Sequence, residues 1–135
     1  MTIGHQLERE NNLFFTADQL VAHAVGDYIL QSHWMASEKT KQSFAAAVHA
    51  ITYTLPFLLI TQSPAALAVI CGSHFIIDRW RLARFVVWLK NGPWLPQTAT
   101  GYQDDVPPWL SVWLLIAADN IIHVICNAVA IAALG

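Results

Sequence analysis

Residues 42–77 carry no formal charge. A mainly apolar stretch of that length does not suit the surface of an ordinary soluble domain, where about 25% of residues are charged. It has to be covered by protein or lipid, with its backbone hydrogen-bonded internally. The polar run Thr61-Gln62-Ser63-Pro64 divides it, so two helices fit, over about 43–60 and about 65–89. Pro56 is expected to kink the first of these near its end. Pro64 suits the first turn of the second, where a missing N–H leaves nothing unpaired, and the Gly92-Pro93 step stops it. From Val106 to Gly135 the sole charged residue is Asp119, and Pro107 and Pro108 open a helix over about 108–134. A fourth helix, over about 16–35 with Asp18 as its expected cap, is a weak span because it holds His23, Asp27, Gln31 and His33. The expected fold is all-α: a single domain over 1–135 forming a four-helix transmembrane bundle with short connections.

The composition agrees with that class. Of 135 residues, 56% are hydrophobic and 12% charged, and the mean hydropathy is +0.43. Such a chain is not disordered. It has too few charges for a soluble monomer, although a homo-oligomer could hide apolar helices. A net charge of −2 leaves no electrostatic footprint for nucleic acid. Cys71 and Cys126 both lie in apolar runs and read as free core thiols. The polar start, which includes His5, lacks a basic region ahead of an apolar core, so no cleavable signal peptide is expected. Lys39 and Lys41 follow the first helix, and Arg79, Arg81, Arg84 and Lys90 mark the end of the third. The connection between the second and third helices has no basic residue. The positive-inside rule then predicts a multi-pass protein of the cytoplasmic membrane with both termini outside. Trp34, Trp88, Trp94 and Trp109 sit at segment ends, where an interfacial belt would place them.

Histidine and aspartate recur at one spacing. His23 and Asp27, His74 and Asp78, and Asp119 and His123 are each four apart, which on a helix puts both side chains on one face. His49 stands alone in the second helix. A carboxylate in an apolar bundle costs several kcal/mol unless it is paired or bound to a metal. Intramembrane ionisable groups mark function by default. Imidazole nitrogen with carboxylate oxygen suits a divalent metal, zinc first, with manganese, iron or nickel as alternatives. Seven candidate ligands (His23, Asp27, His49, His74, Asp78, Asp119 and His123) suit two ions, or one ion with carboxylates that orient the histidines. With the termini outside, all seven fall in one layer on the cytoplasmic half. His33 is left out as interfacial. Gln31 and Lys39 are candidates to orient a substrate, and Arg79 and Arg81 could also meet an anion. Asn120 and Asn127 are expected to make interhelical hydrogen bonds. The glycines form no phosphate loop or dinucleotide fingerprint, and no Ser/His/Asp triad order stands out.

The blocks LVAHAVGDYILQSHWMASEK, VHAITYTL, GSHFIIDRWRL and DNIIHVI occur in that order over roughly 19–130 and resemble the DUF3307 family of bacterial and phage proteins. The first block carries His23, Gly26, Asp27, Leu30, Gln31 and Lys39. The later ones carry His49, His74, Asp78 and His123, with Asp119 ahead of the last histidine. The helical pattern is also similar to that of membrane-bound metal-dependent hydrolases. Its ligand grammar resembles that of helical zinc-dependent phospholipases and nucleases, which by analogy implies phosphoester hydrolysis.

The expectation is therefore a membrane-embedded metal-dependent hydrolase acting on a phosphoester, such as an anionic lipid, or a related polar ester at the cytoplasmic leaflet. Asp27 or Asp119 would act as general base, and Gln31 and Lys39 would orient the substrate. The alternative is a small non-enzymatic membrane or phage protein using the same cluster structurally, or as an interaction module. Metal or proton transport ranks third, because the outer halves of helices two and three are apolar apart from Thr52, Tyr53 and Thr54.

Overall fold

A computed structural model of the chain describes residues 13–135; His5 lies outside them. Helix α1 (Ala17–Ala24) runs into a π-turn (Val25–Ile29) and is followed by the short α2 (His33–Glu38). Helix α3 (Ser43–Thr54) tightens into a 3-10 turn (Leu55–Leu59). Then come α4 (Pro64–Arg79), α5 (Ala83–Asn91) and the long α6 (Pro108–Leu134). Among the described residues there are six α-helices and no strand.

The all-α class stands, but the four transmembrane spans do not. Among the described residues, only α6 is long and apolar enough to cross a membrane. The segment over 16–35 breaks where the π-turn ends and Ser32 caps α2 by accepting from the Met35 N–H. Thr16, not Asp18, is the cap position of α1. In the second segment Pro56 does not merely kink the helix but shifts it to 3-10 geometry. Helix α4 has 16 residues, about 24 Å, against the ~30 Å of a hydrocarbon core. It ends at a turn in which Arg81 adopts a left-handed φ of 48°, with no glycine or proline to announce the break. The starts of α4 and α6 follow the sequence. Pro64 opens α4 behind Ser63, which accepts from the Ala66 N–H, and Pro108 opens α6.

Helix α4 packs against α3 on one side and α6 on the other, while α1 packs on α6 and the π-turn on α3. Two small apolar clusters result. One gathers Ala22, Tyr53, Phe57, Ile70 and Ala130; the other gathers Ala83, Val87 and Leu115. From Ile70 on α4 to Ala83 at the start of α5, the residues between include His74 and Asp78. Along α6 those between Leu115 and Ala130 include Asp119 and His123. The polar layer therefore lies between the two apolar clusters, enclosed by the helices around it. Cys71 and Cys126 are free and half-buried rather than core residues.

Candidate metal centre

Asp27 reaches the interior from the π-turn. The Leu30 N–H bonds to the Val25 carbonyl five residues back at 2.9 Å, the wider winding that defines this turn. Gly26 lets the turn lie directly on α3. A Cβ there would stand 2.6 Å from the Tyr53 ring and 3.0 Å from the Tyr53 carbonyl oxygen. Tyr53 is one helical turn beyond His49, so this close approach brings Asp27 against His49. His74 and Asp78 come from consecutive turns of α4, and all four side chains are buried.

Their tips converge. His49 Nε2 and His74 Nε2 lie 2.9 Å apart. His49 Nε2 is 3.2 Å from Asp27 Oδ1 and 3.2 Å from Asp78 Oδ2. His74 Nε2 is 3.4 Å from Asp27 Oδ1 and 3.2 Å from Asp78 Oδ2. Ligand atoms ~2.0–2.1 Å from a central zinc ion at tetrahedral angles are separated by about 3.3–3.4 Å. Ordinary hydrogen bonding does not explain the pattern as well. A single proton can join the two facing nitrogens, yet each nitrogen also approaches two carboxylates. The remaining nitrogens, Nδ1 of His49, His74 and His123, are buried without partners among the described residues. The Nε2 atoms are thus the ones presented for ligation. The four residues could hold a metal ion.

A second group adjoins the first. His123 Nε2 is 3.1 Å from Asp78 Oδ1 and 3.4 Å from Asp119 Oδ2. Asp78 thus turns one oxygen to each group. Asp119 is less enclosed than the other acids, its side chain 28% exposed. It lines a cavity of about 310 Å³ together with Ala36, Lys39, Thr40, Asp78, Arg81, Leu115 and Ile116. Lys39 donates to Asp78 Oδ2 at 2.7 Å. Arg79 does not face this cavity. It donates to the Thr40 carbonyl at 2.7 Å and to Ser43 Oγ at 3.3 Å, tying the loop that carries Lys39 to the end of α4.

His23 does not join either ligand group. Its Nε2 is 2.9 Å from Asn120 Oδ1 and its Nδ1 2.8 Å from the Tyr53 hydroxyl, while the Asp27 carboxylate is 3.7 Å away. Both ring nitrogens are engaged elsewhere. Donors and acceptors are consistent along a chain in which Asn127 donates to Tyr53, Tyr53 to His23, and His23 to Asn120. Asn120 in turn donates to the Tyr28 hydroxyl. The Tyr53 ring also stacks on His74, centroids 3.6 Å apart and 15° from parallel. Tyr53, not expected as a site member from the sequence, thus packs directly on the cluster, and its four-residue spacing from His49 is the signal that places it there. Gln31 donates to the Asp27 backbone carbonyl at 3.1 Å, so it steadies the π-turn and does not line the cavity. His33 is exposed.

No curated protein and no solved structure matches the chain. A family model does, one described as a protein of unknown function, and it spans residues 14–134, which includes every residue of the cluster. The chain belongs to the DUF3307 family.

Proposed function

We propose that this protein is a membrane-embedded metal-dependent hydrolase that cleaves a phosphoester, or a related polar ester, at the cytoplasmic leaflet. The observation that carries the reading is the joining of a buried imidazole–carboxylate cluster to a cavity bearing two cations. Asp78 and Asp119 line that cavity with Lys39 and Arg81 around them. The donor set, nitrogen and oxygen without thiolate, suits zinc and is compatible with manganese, iron or nickel. When bound, a divalent ion supplies Lewis acidity and a water activated for attack. The chain's own residues supply the rest. Lys39 and Arg81 attract and orient the anionic ester. Asp119, the most accessible carboxylate of the cluster, takes the proton from water as its oxygen bonds to phosphorus, and returns it to the departing ester oxygen as the old P–O bond breaks. Arg79 and Gln31 act through other groups by holding the Lys39 loop and the Asp27 turn.

The exterior supports a bilayer setting. The apolar window of α6 is only 28% buried, unlike the core helix of a soluble protein. Ile51, Leu59, Ile76, Ile121 and Val129 on four elements are all exposed. The contacts of Arg79 with Thr40 and Ser43 bring the two basic connections to one end of the molecule, where the positive-inside rule would place the cytoplasm. Trp80, Trp109 and Trp113 are exposed, as interfacial anchors would be.

The test is hydrolysis of a nitrophenyl phosphate monoester, a diester and anionic phospholipid vesicles by detergent-purified, zinc-loaded full-length chain. Turnover that chelation abolishes and Asp119→Asn reduces at least 100-fold is expected. Absence of chelator-sensitive turnover on all three would overturn the reading. A purely structural metal is the rival, favoured by one observation: Asp27, His49, His74 and Asp78 alone complete a buried four-ligand set. Under that rival, chelation lowers stability and no activity accompanies the metal.

A further inference from the structure

The two ligand groups differ in kind. Asp27, His49, His74 and Asp78 each bring a ligand atom within 4.8 Å of the others, and all four residues are buried. Asp78 Oδ1, Asp119 and His123 offer three ligand atoms, and two of these residues border the cavity or line it. In zinc proteins four protein ligands mark a closed structural site, whereas three leave a position for water or substrate. Asp78 is common to both groups through different oxygens, and bridging of this sort holds paired metals about 3.5–4 Å apart.

We propose that the cluster holds two divalent ions of unlike character joined by Asp78. A closed ion sits among Asp27, His49, His74 and Asp78. An open, exchangeable ion sits on Asp78, Asp119 and His123 and faces the cavity. This rests on the metal-binding part of the function proposed above, not on its hydrolytic part. His123 fits the role because its ring is 1% exposed, its Nε2 lies within 3.4 Å of both carboxylates, and its other nitrogen has no partner among the described residues. Asp119 contributes Oδ2 and keeps its other oxygen for the cavity.

Charge gives the second ion a purpose. Asp27, Asp78 and Asp119 oppose the single ammonium of Lys39, so with neutral imidazoles the cluster is doubly negative. One divalent ion only balances that charge. A second makes the ligand cluster itself cationic, and Arg81 beside it adds a positive charge in either state. An anion such as phosphate is therefore held more tightly by the two-ion state than by the one-ion state. The closed ion organises the π-turn, α3 and α4, and the open ion sets the substrate class.

The experiment is a zinc titration of detergent-purified full-length chain, read by elemental analysis after desalting and repeated on Asp119→Asn. Two ions per wild-type chain are expected, and one per Asp119→Asn chain. A parallel cobalt titration of the wild type should show two phases, first the strong visible bands of a tetrahedral site and then the weak ones of a site with open positions. Inorganic phosphate should perturb the cobalt spectrum only after the second phase. One ion in both proteins, with a single cobalt phase, would overturn the two-ion proposal and leave the closed site standing. No bound ion in either protein would overturn both readings.

Discussion

His49 and His74 come from different helices, yet their Nε2 atoms face one another across 2.9 Å, each also within 3.2 Å of the same Asp78 oxygen. Two nitrogens held so close share a ligand or share a proton. A metal requires both lone pairs, so protons compete with it. Zinc affinity should fall as pH drops through the imidazole range, by as much as about two decades per pH unit where both rings titrate. Competition with a chromophoric chelator between about pH 5 and 8 measures this. A flat profile would show that the imidazoles are not ligands.

Gly26 has a steric role. Because an added Cβ would stand 2.6 Å from the Tyr53 ring and 3.0 Å from the Tyr53 carbonyl oxygen, Gly26→Ala must push the π-turn off α3. The expected cost is about 1–3 kcal/mol, and Asp27 moves with the turn. Stability in chemical denaturation and metal content should therefore fall together in this variant.

Arg81 separates binding from stability. It holds a left-handed φ of 48° while lining the cavity. Arg81→Gly removes the strain of that conformation, so stability should hold or rise by up to about 1 kcal/mol. Loss of the guanidinium should raise KM for an anionic ester about tenfold or more, with kcat less affected. A lower melting temperature with unchanged KM would assign Arg81 to the fold alone.

Tyr53 links the ligand cluster to the hydrogen-bond chain on α1 and α6. Tyr53→Phe keeps the ring that stacks on His74 but leaves Asn127 Nδ2 and His23 Nδ1 without their buried partner. That should cost about 1–3 kcal/mol in chemical denaturation. Metal content should be retained, since the hydroxyl is not a ligand.

Much of this site was legible in the sequence because helical spacing survives folding. His74 with Asp78 and Asp119 with His123 lie on regular α-helix, and each pair reaches the cluster as its four-residue spacing implies. His23 with Asp27 looked the same and behaves differently. The π-turn beginning at Val25 widens the winding between them, so Asp27 swings toward His49 while His23 turns to Tyr53 and Asn120. No proline or unusual composition marks that turn, although Gly26 is the residue its packing requires. The break after Arg79 was equally silent, because it rests on a left-handed arginine. The span count failed for the same local reasons: apolar composition reports burial in something, while helix length depends on breaks that composition does not encode.

Elemental analysis of full-length chain purified in detergent without chelator, beside His49→Ala prepared identically, reaches the shared foundation of these readings. His49 is fully buried and meets Asp27, His74 and Asp78 at once, so its removal opens the four-ligand set at its centre. Divalent metal in the wild type, with at least one ion fewer per chain in His49→Ala, is expected. A wild-type chain without metal, or equal content in the two proteins, would show that these side chains gather for another reason.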